Sequence, residues 1–306
     1  MKVWEIAFAW LRPDGTFHGD RVGRTWSEKR RGYLRNHFLP VVGECEDRHF
    51  GASELWAIQH HCQQLGLSNE TTNKVAHGIA GPLFGFAESK GWVPAGTKDR
   101  ILRSAKRLRA EGERTGVALT WDERDHLIAT CDPYWRPHVG LLAYTGLRIS
   151  EACGIRQGDM GWSRHTIRIQ RSRNRSEITA TKQRRSQRPL KVVAAAIACV
   201  SPLRNDALPH AYLLPSARGC PLHSGHFREM VWDPLVIRAG FPGLHIHDLR
   251  HTFSTLCLES GELNLVQVAR LLGNTPLMVQ ERYEHVLDGP NLERAVRAPS
   301  PIRAVK

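Results

Sequence analysis

The 306-residue sequence contains no Walker A segment and no glycine-rich dinucleotide loop, so nothing in it points to a reaction driven by a bound nucleotide. It has no C-x-x-C pair, and its seven cysteines (Cys45, Cys62, Cys131, Cys153, Cys199, Cys220 and Cys257) are odd in number and scattered, which argues against a disulfide framework and against a zinc ribbon. Reduced thiols in the cytoplasm are the expectation. No apolar run is long enough to span a bilayer: the opening Met1–Pro13 stretch is interrupted by Glu5, and no signal-peptide cleavage pattern follows it. Internal repeats and low-complexity tracts are also missing.

Acid is in short supply as well. Lys and Arg number 43 against 30 Asp and Glu, a net charge of +13, and the pI is near 9.8. Such a balance is what a polyanion binder would carry, with nucleic acid the first partner to consider, although a basic soluble enzyme whose charge is incidental would share it. The length suits two domains of ordinary size, or one large one, each able to bury its own core.

Along the chain, Val3, Ile6, Phe8 and Trp10 alternate in part before Pro13-Asp14-Gly15, the pattern of a short strand and turn in an N-terminal extension, residues 1–26. From Ser27 to about residue 110, apolar residues recur at spacings of three and four (Leu34, Phe38, Val41; Leu55, Ile58, Cys62; Val75, Ile79, Leu83, Phe86), which predicts a small helical bundle punctuated by glycines. A charged connector leads to a boundary near Gly116. The second domain, 117–306, opens on a helix with Thr120 as its N-cap. Ile167, Ile169, Ile178 and Pro189–Val193 predict a small sheet of three strands, and helices resume beyond it.

Three segments could carry chemistry. The first is Tyr144-Thr-Gly-Leu-Arg148-Ile-Ser-Glu151, where a glycine turn delivers an arginine that a carboxylate three residues on could hold; an ordinary surface pair at helical spacing would look the same. The second is His245-Ile-His247-Asp-Leu-Arg250-His251, which on a helix sets His247 and Arg250 apart from an apolar stripe of Leu249, Phe253 and Leu256. A capped core helix and a zinc pair are the alternatives, but for zinc no further ligands stand at the usual spacings. In the third, Leu271-Leu272-Gly273-Asn274, Gly273 ends one helix, Thr275 and Pro276 begin the next, and Tyr283 lies near its far end, where half-buried packing is the commoner use of a tyrosine.

Taken in order, T-G-L-R-x-x-E, H-x-L-R-H and L-L-G-x with a tyrosine nine residues later resemble the motifs of the tyrosine recombinases, the phage integrase family. The resemblance runs from about Leu119 to Val286 and implies a mainly α fold with a small antiparallel β-sheet: a helical core-binding domain followed by a mixed α/β catalytic domain. It implies Tyr283 as nucleophile, Arg148, His247 and Arg250 as the catalytic cluster, Glu151 and His251 as supporting residues, and a hairpin lysine, assigned to Lys182 with Lys191 as rival. Where the family usually has histidine or tryptophan, this chain has Asn274, an amide that can donate a hydrogen bond to phosphate but carries neither charge nor a transferable proton. The family's chemistry needs no metal and no other cofactor; its partner is double-stranded DNA carrying specific sites, bound as a homotetramer, with an accessory DNA-bending protein as a further candidate.

Between Arg168 and Lys191, nine basic residues face one acid, Glu177. Arg168, Arg171, Arg173, Arg175, Arg184, Arg185 and Arg188 are accordingly expected to contact phosphates, although a solvated charged loop has the same composition. Three other functions compete: a type IB topoisomerase, a DNA-binding protein of the same fold that has lost catalysis, and a metal-dependent nuclease built on acidic residues.

Overall fold

The computed structural model describes residues 1–13, 17–18, 24–109, 116–174, 177–180 and 188–287, with the side chains of 24–25, 174, 177–180 and 282–287 outside that description. The chain divides into two compact units, Met1–Arg114 and Thr115–Lys306.

The first unit is helical: α1 (Val3–Trp10), α2 (Arg24–Tyr33), α3 (Leu39–Val42), α4 (Ala52–Gln64), α5 (Asn69–Ser89) and α6 (Thr97–Ser104). Residues 3–10 form a helix instead of the expected strand. Val3, Ile6, Ala7 and Trp10 are fully or almost fully buried, an i, i+3, i+4, i+7 stripe, whereas Phe8, which the alternation had placed inward, is 77% exposed. Helix α1 is therefore part of this unit's core, joined by Phe38, Phe50, Leu55, Ile58, Ile79 and Phe84. The helical periods read between Ser27 and residue 110 correspond to α2 through α6 and to a π-helical turn, Leu34–Phe38, between α2 and α3; Ser68 caps α5 by accepting from the Thr71 amide at 3.3 Å.

The second unit begins with α7 (Trp121–Thr130), α8 (Arg136–Thr145) and the single turn α9 (Ile149–Ala152). Thr120 caps α7 as expected: its hydroxyl accepts from the Glu123 amide, and the Glu123 carboxylate accepts from the Thr120 amide at 2.8 Å. Strands β1 (Met160–Gly161), β2 (Thr166–Ile169), β3 (Arg171–Asn174), β4 (Glu177–Ala180) and β5 (Arg188–Lys191) follow. They make two antiparallel pieces, a three-stranded sheet in the order β1-β2-β5 and a β3-β4 ribbon, so Ile178 belongs to the ribbon and Met160–Gly161 is the third strand of the sheet. In the β2-β5 ladder Ile167 pairs Leu190 and Ile169 pairs Arg188, and paired residues share a face.

Helices α10 (Ala194–Val200), α11 (Ser224–Phe227), α12 (Asp233–Arg238), α13 (Asp248–Glu259), α14 (Leu265–Leu272) and α15 (Pro276–Leu287) complete the unit. One core holds Leu127, Val139, Leu142, Ile167, Leu190, Phe227, Trp232 and Leu249. A smaller cluster of Leu258, Val268, Ala269, Leu272 and Val279 fixes α13, α14 and α15 together. Among the described residues no helix is long and apolar enough to cross a membrane.

Candidate active site

The site is built where three chain reversals meet. Helix α8 ends at Gly146, whose left-handed backbone (φ +62°) turns the chain so that Arg148 becomes the N-cap of α9. Glu151, three residues on, closes a capping box: one carboxylate oxygen accepts from the Arg148 amide at 3.2 Å and the other from Arg148 Nη1 at 2.9 Å. Glu151 is 3% exposed and Arg148 35%, so the carboxylate is interior while the guanidinium reaches toward solvent. The pair is not the exposed surface contact that its spacing alone permits.

His247 caps the entry to α13 and is exposed, and its ring lies edge-on to that of His251 with centroids 5.3 Å apart. His251 is buried, against Gly116, where an added Cβ would come within 2.6 Å of the imidazole. Arg250 is 4% exposed and spans the other two reversals: Nη1 donates to the Gly146 carbonyl at 2.8 Å and Nη2 to the Leu272 carbonyl at 2.7 Å. The Leu272 carbonyl is one of the last four of α14, which have no intrahelical partner, so the cation satisfies it and sits at the negative end of that helix.

Helix α14 stops at Gly273, left-handed at φ +69°, and the next residue reaches back into the cluster. Asn274 Oδ1 accepts from Arg148 Nη2 at 2.8 Å and from Arg250 Nη2 at 3.0 Å. The opposite amide orientation would face its NH2 group to two guanidiniums, donor against donor, so the oxygen is fixed inward and the NH2 is left to donate elsewhere. A single amide oxygen thus gathers the two arginines that the sequence singled out 102 positions apart. No sequence pattern announced that bridge.

Tyr283 belongs to α15, which Val279, fully buried, anchors to α13 and α14. Lys182, Arg175, Arg184 and Arg185 lie outside the described residues. Lys191, the rival lysine, is exposed at the end of β5, opposite Thr166.

The remaining arginines of the basic tract differ in setting. Arg168 is exposed on β2 and donates to the Gly158 carbonyl at 2.6 Å. Arg171 is paired with the buried Asp159 at 2.6 Å, and Arg173 bonds the Leu222 carbonyl while its guanidinium stands 5.8 Å from the Tyr212 ring centre. Arg188 departs furthest from the expectation of a phosphate-facing side chain. It is 9% exposed, its Nε donates to the Leu271 carbonyl at 2.7 Å, and its Nη1 lies 3.7 Å from Glu151 Oε1. Strand alternation accounts for this: Leu190 faces the core, and a residue two positions away on the strand faces the same way. Burial pulls the Arg188 guanidinium below the usual arginine range, the Arg148 charge adds to that, and Glu151 opposes it. Beside these residues a groove of about 1150 Å³ opens along β5 and α14, reached by Arg188, Lys191, Val266, Arg270 and Asn274. Among the described residues no three His, Cys, Asp or Glu side chains converge as a metal site would require.

Comparison with known proteins agrees with the order of these segments: the model of the phage integrase family matches residues 118–289. The chain belongs to the phage integrase family. Among its curated relatives, an integrase of Mycobacterium phage D29 is 29% identical over 184 residues, covering 56% of this chain and 49% of that protein. A tyrosine recombinase XerC of Mycobacterium sp. (strain KMS) is 31% identical over 195 residues, 63% of this chain and 59% of that one. The chain therefore spans about half to three fifths of the length of these relatives. In fold, a structure of the Tn1549 transposon integrase in complex with transposon right end DNA covers 98% of this chain and 100% of its own, with a TM-score of 0.77 at 19% identity. A lambda integrase tetramer bound to a Holliday junction covers 91% of this chain and 74% of its own, with a TM-score of 0.62 at 14% identity. These likenesses bear out the tyrosine-recombinase fold, mainly helical with small antiparallel sheets.

Proposed function

We propose that this phage integrase family member is a site-specific DNA recombinase that cuts and rejoins double-stranded DNA through a 3′-phosphotyrosyl intermediate. The observation that carries this reading is the convergence of Arg148 and Arg250 on one atom, Asn274 Oδ1, at 2.8 and 3.0 Å. The two guanidiniums together offer the forked donors that a phosphodiester's non-bridging oxygens accept as charge builds on them.

In the proposed step the Tyr283 hydroxyl oxygen attacks phosphorus. A P–O(tyrosine) bond forms as the P–O5′ bond breaks. An unperturbed phenol, pKa about 10, is a weak nucleophile at neutral pH, so His247 is assigned to take its proton. The departing 5′ oxygen needs a proton in return, and Lys182 is assigned to give it, since nearby cations would lower the pKa of a lysine in that role. The phosphotyrosyl bond keeps the energy of the broken linkage, and a second 5′ hydroxyl reverses the step without ATP.

Arg168, with Arg175, Arg184 and Arg185, is assigned to phosphates of the site, with register fixed by backbone contact and sequence read elsewhere. The core-binding role falls to residues 27–110 and catalysis to 117–306. Assembly as a homotetramer on DNA, in the cytoplasm, follows the family and the tetrameric lambda integrase that shares this fold. A second reading, a DNA-binding protein of the same fold that no longer cuts, draws on Asn274, which has no proton to transfer.

The test is to incubate the protein in EDTA with supercoiled DNA carrying the sequences that flank its gene, quench with detergent, and look for a covalent protein–DNA adduct beside a Tyr283→Phe control. An adduct missing from the control supports the recombinase reading. Salt-sensitive binding to the same DNA with no adduct supports the second reading.

A further inference from the structure

Arg188 touches two of the three motif segments at once. Its Nη1 stands 3.7 Å from Glu151 Oε1, the oxygen that also accepts from Arg148 Nη1 at 2.9 Å, and its Nε donates to the Leu271 carbonyl at 2.7 Å. Leu271 and Leu272 supply consecutive unpartnered carbonyls at the end of α14; Arg188 takes the first and Arg250 the second. Two residues beyond them is Asn274, the bridge between Arg148 and Arg250. Arg188 is also the first residue of β5, the strand that follows the stretch carrying Lys182.

We propose that Arg188 is a positioning residue of the recombinase centre, acting on the scissile phosphate through Arg148 and Asn274. This rests on the function proposed above.

Two effects are at work. One is geometric: with the end of α14 held by two cations, the Gly273 turn and the Asn274 amide are fixed against Arg148 and Arg250. The other is electrostatic. Glu151 is buried and would pair wholly with Arg148 if it had no other cation beside it; sharing one carboxylate between Arg148 and Arg188 leaves more of the Arg148 charge available to phosphate. Burial of Arg188 strengthens the effect, since its field is screened less than that of an exposed arginine. A merely structural arginine at this place would affect folding but not the dependence of the reaction on phosphate charge.

The experiment compares wild type, Arg188→Gln, Arg188→Lys and Arg148→Gln in single-turnover cleavage of two oligonucleotide duplexes. One has an ordinary scissile phosphodiester and the other a methylphosphonate there, in which a methyl group replaces a charged oxygen and lessens the need for an arginine clamp. Arg188→Gln is expected to slow cleavage of the phosphodiester by about tenfold to a hundredfold. On the methylphosphonate its deficit should shrink to within a few-fold of wild type, the pattern Arg148→Gln shows more strongly, while DNA affinity changes by less than about twofold. Arg188→Lys keeps the charge and most of the stem, so it is expected to fold with an unchanged melting temperature and to show a smaller loss of the same kind. Equal slowing on both duplexes, or wild-type rates on both, overturns the proposal, as does Arg188→Lys losing affinity instead of rate. If wild type forms no adduct with either duplex, it is the recombinase reading itself that fails.

Discussion

Replacing Gly146 by alanine perturbs the turn on which both arginines depend, and its cost can be worked from the structure. The residue sits at φ +62°, where an L-side chain costs about 1 to 2 kcal/mol. A Cβ there would lie 2.5 Å from Phe253 Cδ1 and 3.0 Å from Leu272 Cδ2, and overpacking of that kind costs about 1 to 3 kcal/mol. The sum is about 2 to 5 kcal/mol. For a unit the size of Thr115–Lys306 that corresponds to a fall in melting temperature of about 4 to 20 °C. The Gly146 carbonyl also receives Arg250 Nη1 at 2.8 Å, and Arg148 is two residues on, so covalent-adduct formation should drop even at temperatures where the variant stays folded. Gly240→Ala is the control. It has a similar left-handed φ of +81° but nothing within 4 Å of the added Cβ, so only the backbone cost, about 1 to 2 kcal/mol, applies. Circular-dichroism melts of both variants, with adduct yield measured well below the transition, decide the matter. Equal melting temperatures for the two variants, or an undiminished adduct yield for Gly146→Ala, would refute the reasoning.

Other consequences are open to direct measurement. Asn274→Asp places a carboxylate against two guanidiniums now held by a neutral oxygen, so the melting temperature should rise while cleavage slows by about tenfold or more, because positive charge meant for phosphate is neutralised; faster cleavage would contradict the assigned clamp. DNA binding should weaken with salt at a log–log slope of about −4 or steeper, as release of counterions from several phosphates demands, and a flat plot in a filter-binding titration would count against phosphate-dominated binding. His138 is fully buried with its Nε2 on the Pro215 carbonyl at 2.8 Å, and burial holds it below the usual histidine range. The unfolded chain therefore binds the proton more readily, so stability should fall as pH drops through about 6.5, by at most about 1.4 kcal/mol per pH unit for this group, until the folded-state pKa is passed. His138→Phe should flatten that fall in denaturant titrations; an unchanged slope would remove His138 as its source.

The family was legible in the sequence because its motifs couple two kinds of information. T-G-L-R is at once a left-handed turn and an arginine, and L-L-G-N is a helix stop that leaves its last carbonyls in need of donors. The motifs could therefore single out Arg148, His247, Arg250 and Tyr283 as candidates, but they could not show that Asn274 bridges the two arginines, since that contact joins positions brought together only by the packing of α8, α13 and α14. The strand expected over residues 3–10 failed for a different reason. Val3, Ile6 and Trp10 satisfy a helical stripe, and only the inclusion of Phe8 made them look alternating. Arg188 was misjudged because composition treats a basic tract as one surface. The signal was present in the strand itself, as an inward Leu190 sets an inward residue 188.

The central claim, that Tyr283 is the nucleophile of a metal-independent DNA transesterification, is tested most directly on the trapped complex. The protein would be incubated in EDTA with nicked duplexes that let the short fragment bearing the freed 5′ hydroxyl diffuse away, then digested, and the nucleotide-bearing peptide sequenced by mass spectrometry. The account predicts a 3′-phosphonucleotide on Tyr283 and no adduct from Tyr283→Phe. An adduct on another residue, or strand cleavage that appears only when a divalent metal is restored, would contradict it.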